Sequence, residues 1–161
     1  MDFFPAAVSL VLEEEGIFSD DAHDKGGATY FGISRTAHPT IPWPPTKEQA
    51  IALYKSQYWT AHRCDEMTWP WSLAIFDAAV NQTGLAIKIL QKTLSLVVDG
   101  VVGDKTLGAL GGPYSADHFR MYLALRADAY FRNQQYDTFG PGWLSRLIRI
   151  AQESEHPPGI T

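Results

Sequence analysis

The stretch EEEGIFSDDAHDKGGATYFGIS, residues 13–34, decides the fold of this 161-residue chain. Upstream of it, residues 4–15 place apolar side chains on one stripe at about 100° per residue, which is typical of an amphipathic α-helix. Inside it, glycines and a cluster of aspartates interrupt the helical pattern, and ATYFGIS has the β-branched and aromatic content of a short strand or hairpin. The sequence therefore predicts a helix, a polar loop and a small β-structure in succession.

Glu15 is the most informative residue of this stretch. On a helix that begins at Phe4, its side chain lies about 20° from the direction of Phe4 and continues the apolar stripe, whereas Glu13 points to the opposite side. An apolar setting disfavours the charged form of a carboxyl group, and a carboxylic acid that stays protonated can act as a general acid. The alternative is that the helix ends here and Glu15 turns to solvent.

The loop that follows supplies a second carboxylate and a hydroxyl. Asp24 comes nine residues after Glu15, and Thr29 five residues later. A loop bounded by glycines can fold back over the helix end and bring these groups opposite Glu15. Two carboxyl groups on either side of a bond are the minimum equipment for glycoside hydrolysis. The alternative is that the loop aspartates serve only turn formation.

The rest of the chain is predicted to be mainly helical. The stretch HPTIPWPP, residues 38–45, is a loop because its prolines exclude a helix. Thr46 opens a capping-box sequence and begins a helix that runs to about Trp59, and Asp104 is a candidate N-cap. Further helices are predicted over residues 69–82, 85–96, 115–133 and 141–155. The predicted fold class is α+β, mainly α, in two lobes with a small β-lobe around residues 17–36 and a cleft between them.

Composition and charge exclude several classes of protein. With 45% apolar residues the chain can build one domain with a proper core. The net charge of −5, without a long basic run, argues against nucleic acid or an anionic membrane surface as a partner. The start lacks a basic region and reads as a helix rather than a signal peptide, and no segment approaches the roughly twenty apolar residues of a membrane span. Stable membrane insertion is not expected.

Four blocks, in order, resemble glycoside hydrolase family 108, the phage and bacterial N-acetylmuramidases. The first is residues 13–34. The second is TKEQAIALYKSQYW (46–59), which is similar to the family's helix ending in Tyr-Trp, and the third is FDAAVNQTG (76–84). The fourth, LQKTLSLVVDGVVGDKTLGAL (90–110), resembles the peptidoglycan-binding segment that follows the catalytic part in these enzymes.

The resemblance implies a lysozyme-like domain over residues 1–161, with a catalytic part at about 1–84 and a helical part at about 85–155. It implies hydrolysis of the β-1,4 bond between N-acetylmuramic acid and N-acetylglucosamine in peptidoglycan. Glu15 would be the general acid, Asp24 would position the attacking water or stabilise developing positive charge, and Thr29 would help to hold that water. The similarity in spacing to the T-even phage lysozymes implies inversion of the anomeric centre. No cofactor is implied.

The resemblance also implies a biological setting. A lytic enzyme without a signal peptide suggests a phage endolysin, which accumulates as a monomer in the host cytoplasm. A holin would then release it to the periplasmic peptidoglycan. Two other functions stay open. The chain could be a lytic transglycosylase, which uses one glutamate and no water, or a non-catalytic peptidoglycan-binding or phage structural module.

Several other side chains are candidates for binding. Tyr30 flanks Thr29 and could line the cleft, and Asn81 and Gln82 end an apolar helix face where amides could bind the N-acetyl or hydroxyl groups of a sugar. Asp77, on the same helix, is predicted to be a structural hydrogen-bonding group. The DGVVGDKT segment, residues 99–106, could bind glycan or simply join two helices.

Two further chemistries have weaker support. Cys64 with His62 or His23 could indicate a cysteine peptidase, but no signature flanks the cysteine. The DDAHD cluster, residues 20–24, could bind a metal ion, although Lys25 occupies the glycine position of a calcium loop. The last helix could touch a membrane with its arginines and apolar residues; an amphipathic core helix explains that pattern better.

Overall fold

The structure is a computed structural model that describes residues 1–19 and 28–159. Its described part has a helical body and a small sheet. The α-helices are α1 (Phe4–Glu15), α2 (Lys47–Tyr54), α3 (Trp71–Asn81), α4 (Ala86–Thr93), α5 (Asp104–Leu110), α6 (Ala116–Phe131) and α7 (Tyr136–Ser154). A π-helical segment, Lys55–Thr60, continues α2, and a 3-10 turn, Cys64–Glu66, follows it. The predicted α+β, mainly α class is confirmed.

The small sheet has three short antiparallel strands in the order β1 (Phe18–Ser19), β2 (Thr29–Tyr30) and β3 (Ile33–Ser34). Tyr30 pairs with Ile33 in the β2–β3 hairpin. Phe31 and Gly32, with φ of 51° and 71°, form its two-residue turn. Positive φ at both turn residues matches the right-handed twist of the flanking strands. The predicted β-structure in this stretch is therefore a tight hairpin.

Helix starts follow the predicted capping at one site and depart from it at another. The Thr46 hydroxyl accepts from the backbone N–H of Gln49, and the Gln49 amide oxygen accepts from the backbone N–H of Thr46. The prediction of Asp104 as an N-cap is wrong, because α5 begins at Asp104 and Gly103 precedes it. The Asp104 carboxylate instead accepts from the guanidinium of Arg63 at 3.0 Å.

Helix α7 begins five residues earlier than predicted. Pro141 lies inside it, although a proline in a helix interior removes a backbone hydrogen bond. Gly140 allows the ring of Tyr136 to lie against the helix, since a Cβ at Gly140 would be 2.5 Å from that ring. The Tyr136 ring also contacts Phe131 of α6, with centroids 4.7 Å apart. This packing joins the start of α7 to the end of α6.

Helix α3 forms the centre of the core. Residues 71–79 of this helix are all buried. It packs against α1, α4 and α7, and one continuous cluster of buried side chains runs from Phe4 to Ile150. A central helix of this kind places its one acidic residue, Asp77, in the interior at 0% exposure. Among the described helices, none has the length and apolar character needed to cross a bilayer.

Candidate active site

Glu15 is the last residue of α1. The helix ends at Gly16, which adopts a φ of 70° and donates its N–H to the carbonyl of Leu12 at 3.1 Å. The predicted apolar stripe is confirmed, because it consists of buried residues: Phe4, Ala7, Val8 and Val11. Glu15 extends this stripe to the rim of the body and keeps its side chain 21% exposed. The Glu15 side chain is therefore partly exposed and lies at the junction between the helices and the hairpin.

The helical phase of Glu15 predicts apolar surroundings. The structure instead places charged and polar groups next to its carboxyl group. Arg146 of α7, itself 7% exposed, donates from Nη1 to Glu15 Oε1 at 2.7 Å. Glu14 is as exposed as Glu15, at 21%, and accepts from Arg149 at 2.9 Å. Arg149 also binds Glu13. All three adjacent glutamates are thus paired with arginines of a helix that lies far along the chain.

The hairpin turn covers the other carboxylate oxygen of Glu15. A Cβ at Gly32 would lie 2.7 Å from Glu15 Oε2 and 2.5 Å from the hydroxyl oxygen of Tyr54. That hydroxyl donates to the carbonyl of Phe31 at 2.9 Å and so ties the turn to α2. Only a glycine permits this approach, because the position also requires a positive φ.

Two tyrosines complete the wall around Glu15. Tyr54 is buried and Tyr58 is partly buried, and their ring centroids are 5.6 Å apart. Burial raises the pKa of both phenols, and the negative charge of Glu15 raises it further. Both side chains therefore remain protonated near neutral pH and can serve as hydrogen-bond donors.

Behind Arg146 lies a buried acid. Asp77 Oδ1 accepts from Arg146 Nε at 2.6 Å, and its Oδ2 accepts from Arg126 Nη2 at 2.7 Å. Asp77 and Arg126 are both 0% exposed. Burial opposes the positive charge of Arg126, but the Asp77 carboxylate outweighs this effect and the pKa of Arg126 is raised. The predicted structural role of Asp77 is confirmed: it is the shared partner of two buried arginines.

The hydrogen-bonded chain continues past Arg126 to the end of α3. Arg126 Nε donates to Gln82 Oε1 at 2.7 Å, and Gln82 Nε2 donates to the Arg126 carbonyl at 3.2 Å. Each end of the Gln82 amide therefore has a partner on Arg126, and the sugar contact of Gln82 stays a prediction. The Arg126 guanidinium also reaches the hydroxyl of Tyr130 at 3.3 Å, and that hydroxyl donates to Asn81 Oδ1.

A cavity of about 210 Å³ lies at this end of the chain of hydrogen bonds. The ring of Trp143 stacks on Tyr130 with a centroid distance of 5.3 Å and an interplanar angle of 25°. Within the described residues, Asn81 Nδ2 has no acceptor. The lining residues are Asn81, Gln82, Thr83, Leu85, Ala129, Tyr130, Asn133 and Trp143. Aromatic faces beside free amides are suited to a ring that carries polar groups.

The other predicted site residues are distributed as follows. Thr29 lies in β2 opposite Ser34, on the hairpin whose turn touches Glu15. The Tyr30 ring contacts Phe18 and Trp43, with centroids 4.8 and 5.4 Å away, whereas Phe31 packs against the core. Asp24 lies outside the described residues, and so does the rest of the DDAHD cluster. Its spacing from Glu15 stays a prediction.

Cys64 is not equipped for nucleophilic catalysis. Its side chain is 0% exposed in the core. Burial raises the pKa of its thiol, and the nearby charge of Asp65 raises it further. Since the thiolate is the reactive form, a cysteine peptidase built on this residue is excluded.

Comparison with known proteins finds a family model that is similar to the part of the chain that contains Glu15 and Asp77. A family model described as Glycosyl hydrolase 108 matches residues 8–83, which include most of α1, the hairpin and α3. Brucella abortus SagA has a similar structure, with a TM-score of 0.87 and 27% sequence identity over 98% of this chain and 97% of that chain. The comparison with curated proteins found no match. The resemblance drawn from the sequence is confirmed.

Proposed function

We propose that this chain, whose residues 8–83 belong to glycosyl hydrolase family 108, is an N-acetylmuramidase of peptidoglycan. The family makes it a glycoside hydrolase. The bond cleaved is the β-1,4 link between N-acetylmuramic acid and N-acetylglucosamine. The observation that carries the proposal is the setting of Glu15, one-fifth exposed, with Arg146 on one carboxylate oxygen and the hairpin turn on the other.

Glu15 is the general acid of the proposed reaction. Because Arg146 donates to Oε1, the transferable proton is carried by Oε2, the oxygen beside Gly32. Glu15 gives this proton to the glycosidic oxygen as the bond to the anomeric carbon breaks, and a water molecule attacks that carbon. Asp24 positions the water or stabilises the developing positive charge, and Thr29 helps to hold the water. The proton that the attacking water loses passes to the solvent, from which Glu15 regains its proton.

Inversion is the stereochemical outcome that we propose. Inverting enzymes keep their two carboxyl groups roughly 6.5–9.5 Å apart so that a water molecule fits between them, against about 5–5.5 Å in retaining enzymes. The first product formed by the enzyme should therefore be the α-anomer of the new reducing sugar. Proton NMR of the products in the first minutes, before mutarotation, distinguishes the two outcomes.

The cavity at the end of α3 and the outer face of the hairpin are the proposed sugar contacts. Asn81 offers its free amide nitrogen beside the stacked rings of Tyr130 and Trp143, which suits an N-acetyl group and the face of a pyranose. Tyr30 offers a partly exposed ring on the hairpin. The endolysin setting, with a monomer released by a holin, stays a prediction.

The test compares wild type with Glu15→Gln on purified Gram-negative peptidoglycan, with reducing ends and masses of the fragments as readouts. Glu14→Gln is the matched control, because Glu14 is equally exposed and pairs with an arginine of the same helix. New reducing ends from wild type and Glu14→Gln, but not from Glu15→Gln, support the proposal. Fragments that end in 1,6-anhydromuramic acid would show a transglycosylase instead. Binding to peptidoglycan without cleavage would show a non-catalytic module.

A further inference from the structure

Four charged side chains form a buried network that joins α1, α3, α6 and α7. The two acids are Glu15 and Asp77, and the two bases are Arg126 and Arg146. All except Glu15 are at most 7% exposed. Burying charges is costly, and apolar residues of similar volume often serve stability equally well. Because they lie beside a candidate general acid, we look for a function of these charges in addition to stability.

The geometry of Arg146 indicates such a function. Its guanidinium bridges two carboxylates, with Nε on Asp77 and Nη1 on Glu15. Asp77 is in turn fixed by Arg126, so it cannot swing away from Arg146. The orientation of the group that holds Glu15 is thus set by α3 and α6. Both arginines lie outside residues 8–83, so the family match does not include them.

We propose that Asp77, held by Arg126, is a positioning residue that fixes the orientation of Arg146 against Glu15 and offsets part of the charge that Arg146 presents to it. The proposal rests on the role of Glu15 proposed above. Arg146 alone favours the charged form of Glu15, because an opposite charge within hydrogen-bonding distance stabilises a carboxylate. The Asp77 carboxylate neutralises part of that positive charge.

Other groups around Glu15 are a constant background. Tyr54 and Tyr58 face it from α2 and the π-helical segment, and both stay uncharged. On its own helix, Glu13 and Glu14 are paired with Arg149. The hairpin contributes Gly32, which has no charge. Residues 20–27 lie outside the described part, and none of them is changed in the variants compared below.

Two substitutions should move the activity profile in opposite directions. A general acid must be protonated, so activity falls on the alkaline side as Glu15 loses its proton. Asp77→Asn removes the negative charge that offsets Arg146. The charged form of Glu15 is then favoured, and the alkaline limb of the pH–activity profile shifts to lower pH. Arg146→Gln removes the positive charge and shifts the limb to higher pH. Each shift is expected to be about one pH unit or more.

The experiment measures kcat/KM for reducing-end release against pH. The variants are Asp77→Asn and Arg146→Gln, with Arg149→Gln as the matched control. Arg149 also ties α7 to α1, but through Glu13 and Glu14 rather than Glu15. Arg149→Gln should have the same alkaline limb in its pH profile as wild type. Parallel loss of activity in both variants, with no shift of the limb, would mean that Asp77 only stabilises the fold.

A second readout does not depend on activity. The carboxyl carbon signal of Glu15, assigned by its loss in Glu15→Gln, is titrated by NMR in each variant. It should titrate at lower pH in Asp77→Asn and at higher pH in Arg146→Gln, and an unchanged titration overturns the proposal. If wild type releases no reducing ends at any pH, the muramidase proposal fails while this titration still tests the network. If Asp77→Asn does not fold, Arg126→Gln replaces it: this variant frees Asp77 from Arg126, so the Glu15 signal should titrate at higher pH than in wild type, and an unchanged titration overturns the proposal.

Discussion

The guanidinium of Arg146 lies 2.7 Å from the carboxylate of Glu15, although 131 residues separate them in the chain. One residue ends the first helix and the other lies in the last described helix. The candidate acid is therefore oriented by a part of the protein that a local view of its motif leaves out. The following predictions test this arrangement and the groups around it.

Gly32→Ala should impair the candidate site more than an ordinary glycine substitution. The new Cβ would meet both Glu15 Oε2 and the Tyr54 hydroxyl, at a position with a φ of 71°. Gly84→Ala is the control, since Gly84 has a φ of 82° but no atom within 4 Å of the place where a Cβ would lie. Both variants should lose about 1 kcal/mol or more of stability from backbone strain. Only Gly32→Ala should lose activity, by about tenfold, in a reducing-end assay.

Asp77→Ala should destabilise the fold strongly. It leaves Arg126 and Arg146 without their shared partner in the interior, and uncompensated buried charge costs about 3–5 kcal/mol. Asp117→Ala is the matched control, because Asp117 pairs with Arg120 on the surface, where such pairs contribute about 1 kcal/mol or less. Urea unfolding of the three proteins measures the difference. Equal losses in both variants would contradict the buried network.

Cys64 should make stability fall in alkaline solution. Burial raises the pKa of its thiol in the folded state, so only the unfolded chain releases this proton as the pH rises. The contribution is fully present below about pH 8.5 and declines by roughly 1.4 kcal/mol per pH unit above it. Cys64→Ala should flatten this part of the curve in chemical unfolding experiments from pH 7 to 10. The same slope in both proteins would be the contrary result.

Asn81→Ala should weaken substrate binding with little effect on the chemical step. The free amide nitrogen of Asn81 faces no acceptor among the described residues, and losing one hydrogen bond to a sugar corresponds to about 1 kcal/mol. KM should rise about fivefold while kcat stays within twofold of wild type. Steady-state kinetics with soluble glycan fragments measures both constants. A fall in kcat with unchanged KM would instead assign Asn81 to the orientation of Glu15 through Tyr130 and Arg126.

The sequence predicted the local parts of this structure well. The helix over Phe4–Glu15, the hairpin before Ser34 and the capping box at Thr46 all depend on neighbouring residues, and all are confirmed. Helical phase also identified Glu15 as the glutamate that extends the buried stripe. It could not show the nature of its neighbour, because Arg146 reaches it only through the packing of α7 on the body.

The contacts that the sequence did not predict also join residues that are far apart in the chain. Arg126 and Arg146 looked like ordinary charges on amphipathic helices, and nothing in their local sequence marks them as buried. Gln82 looked like an open amide because its partner lies 44 residues away on α6. Tyr54 and Gly32 also meet across a gap in the chain, although a shorter one. These residues could have been found only from a sign that positions far apart in the chain pair with each other, for example two acids and two arginines whose opposite charges must compensate in the core.

The position of Arg146 in α7 also affects the order of events during translation. A nascent chain completes α1 and the hairpin well before α7 is synthesised, and domains fold from the N-terminal side as they emerge. Until α7 docks, Glu15 has no guanidinium to orient it, and Asp77 has only Arg126 of its two arginine partners. The candidate active site of a newly made chain is therefore completed only once the last helix has joined the body.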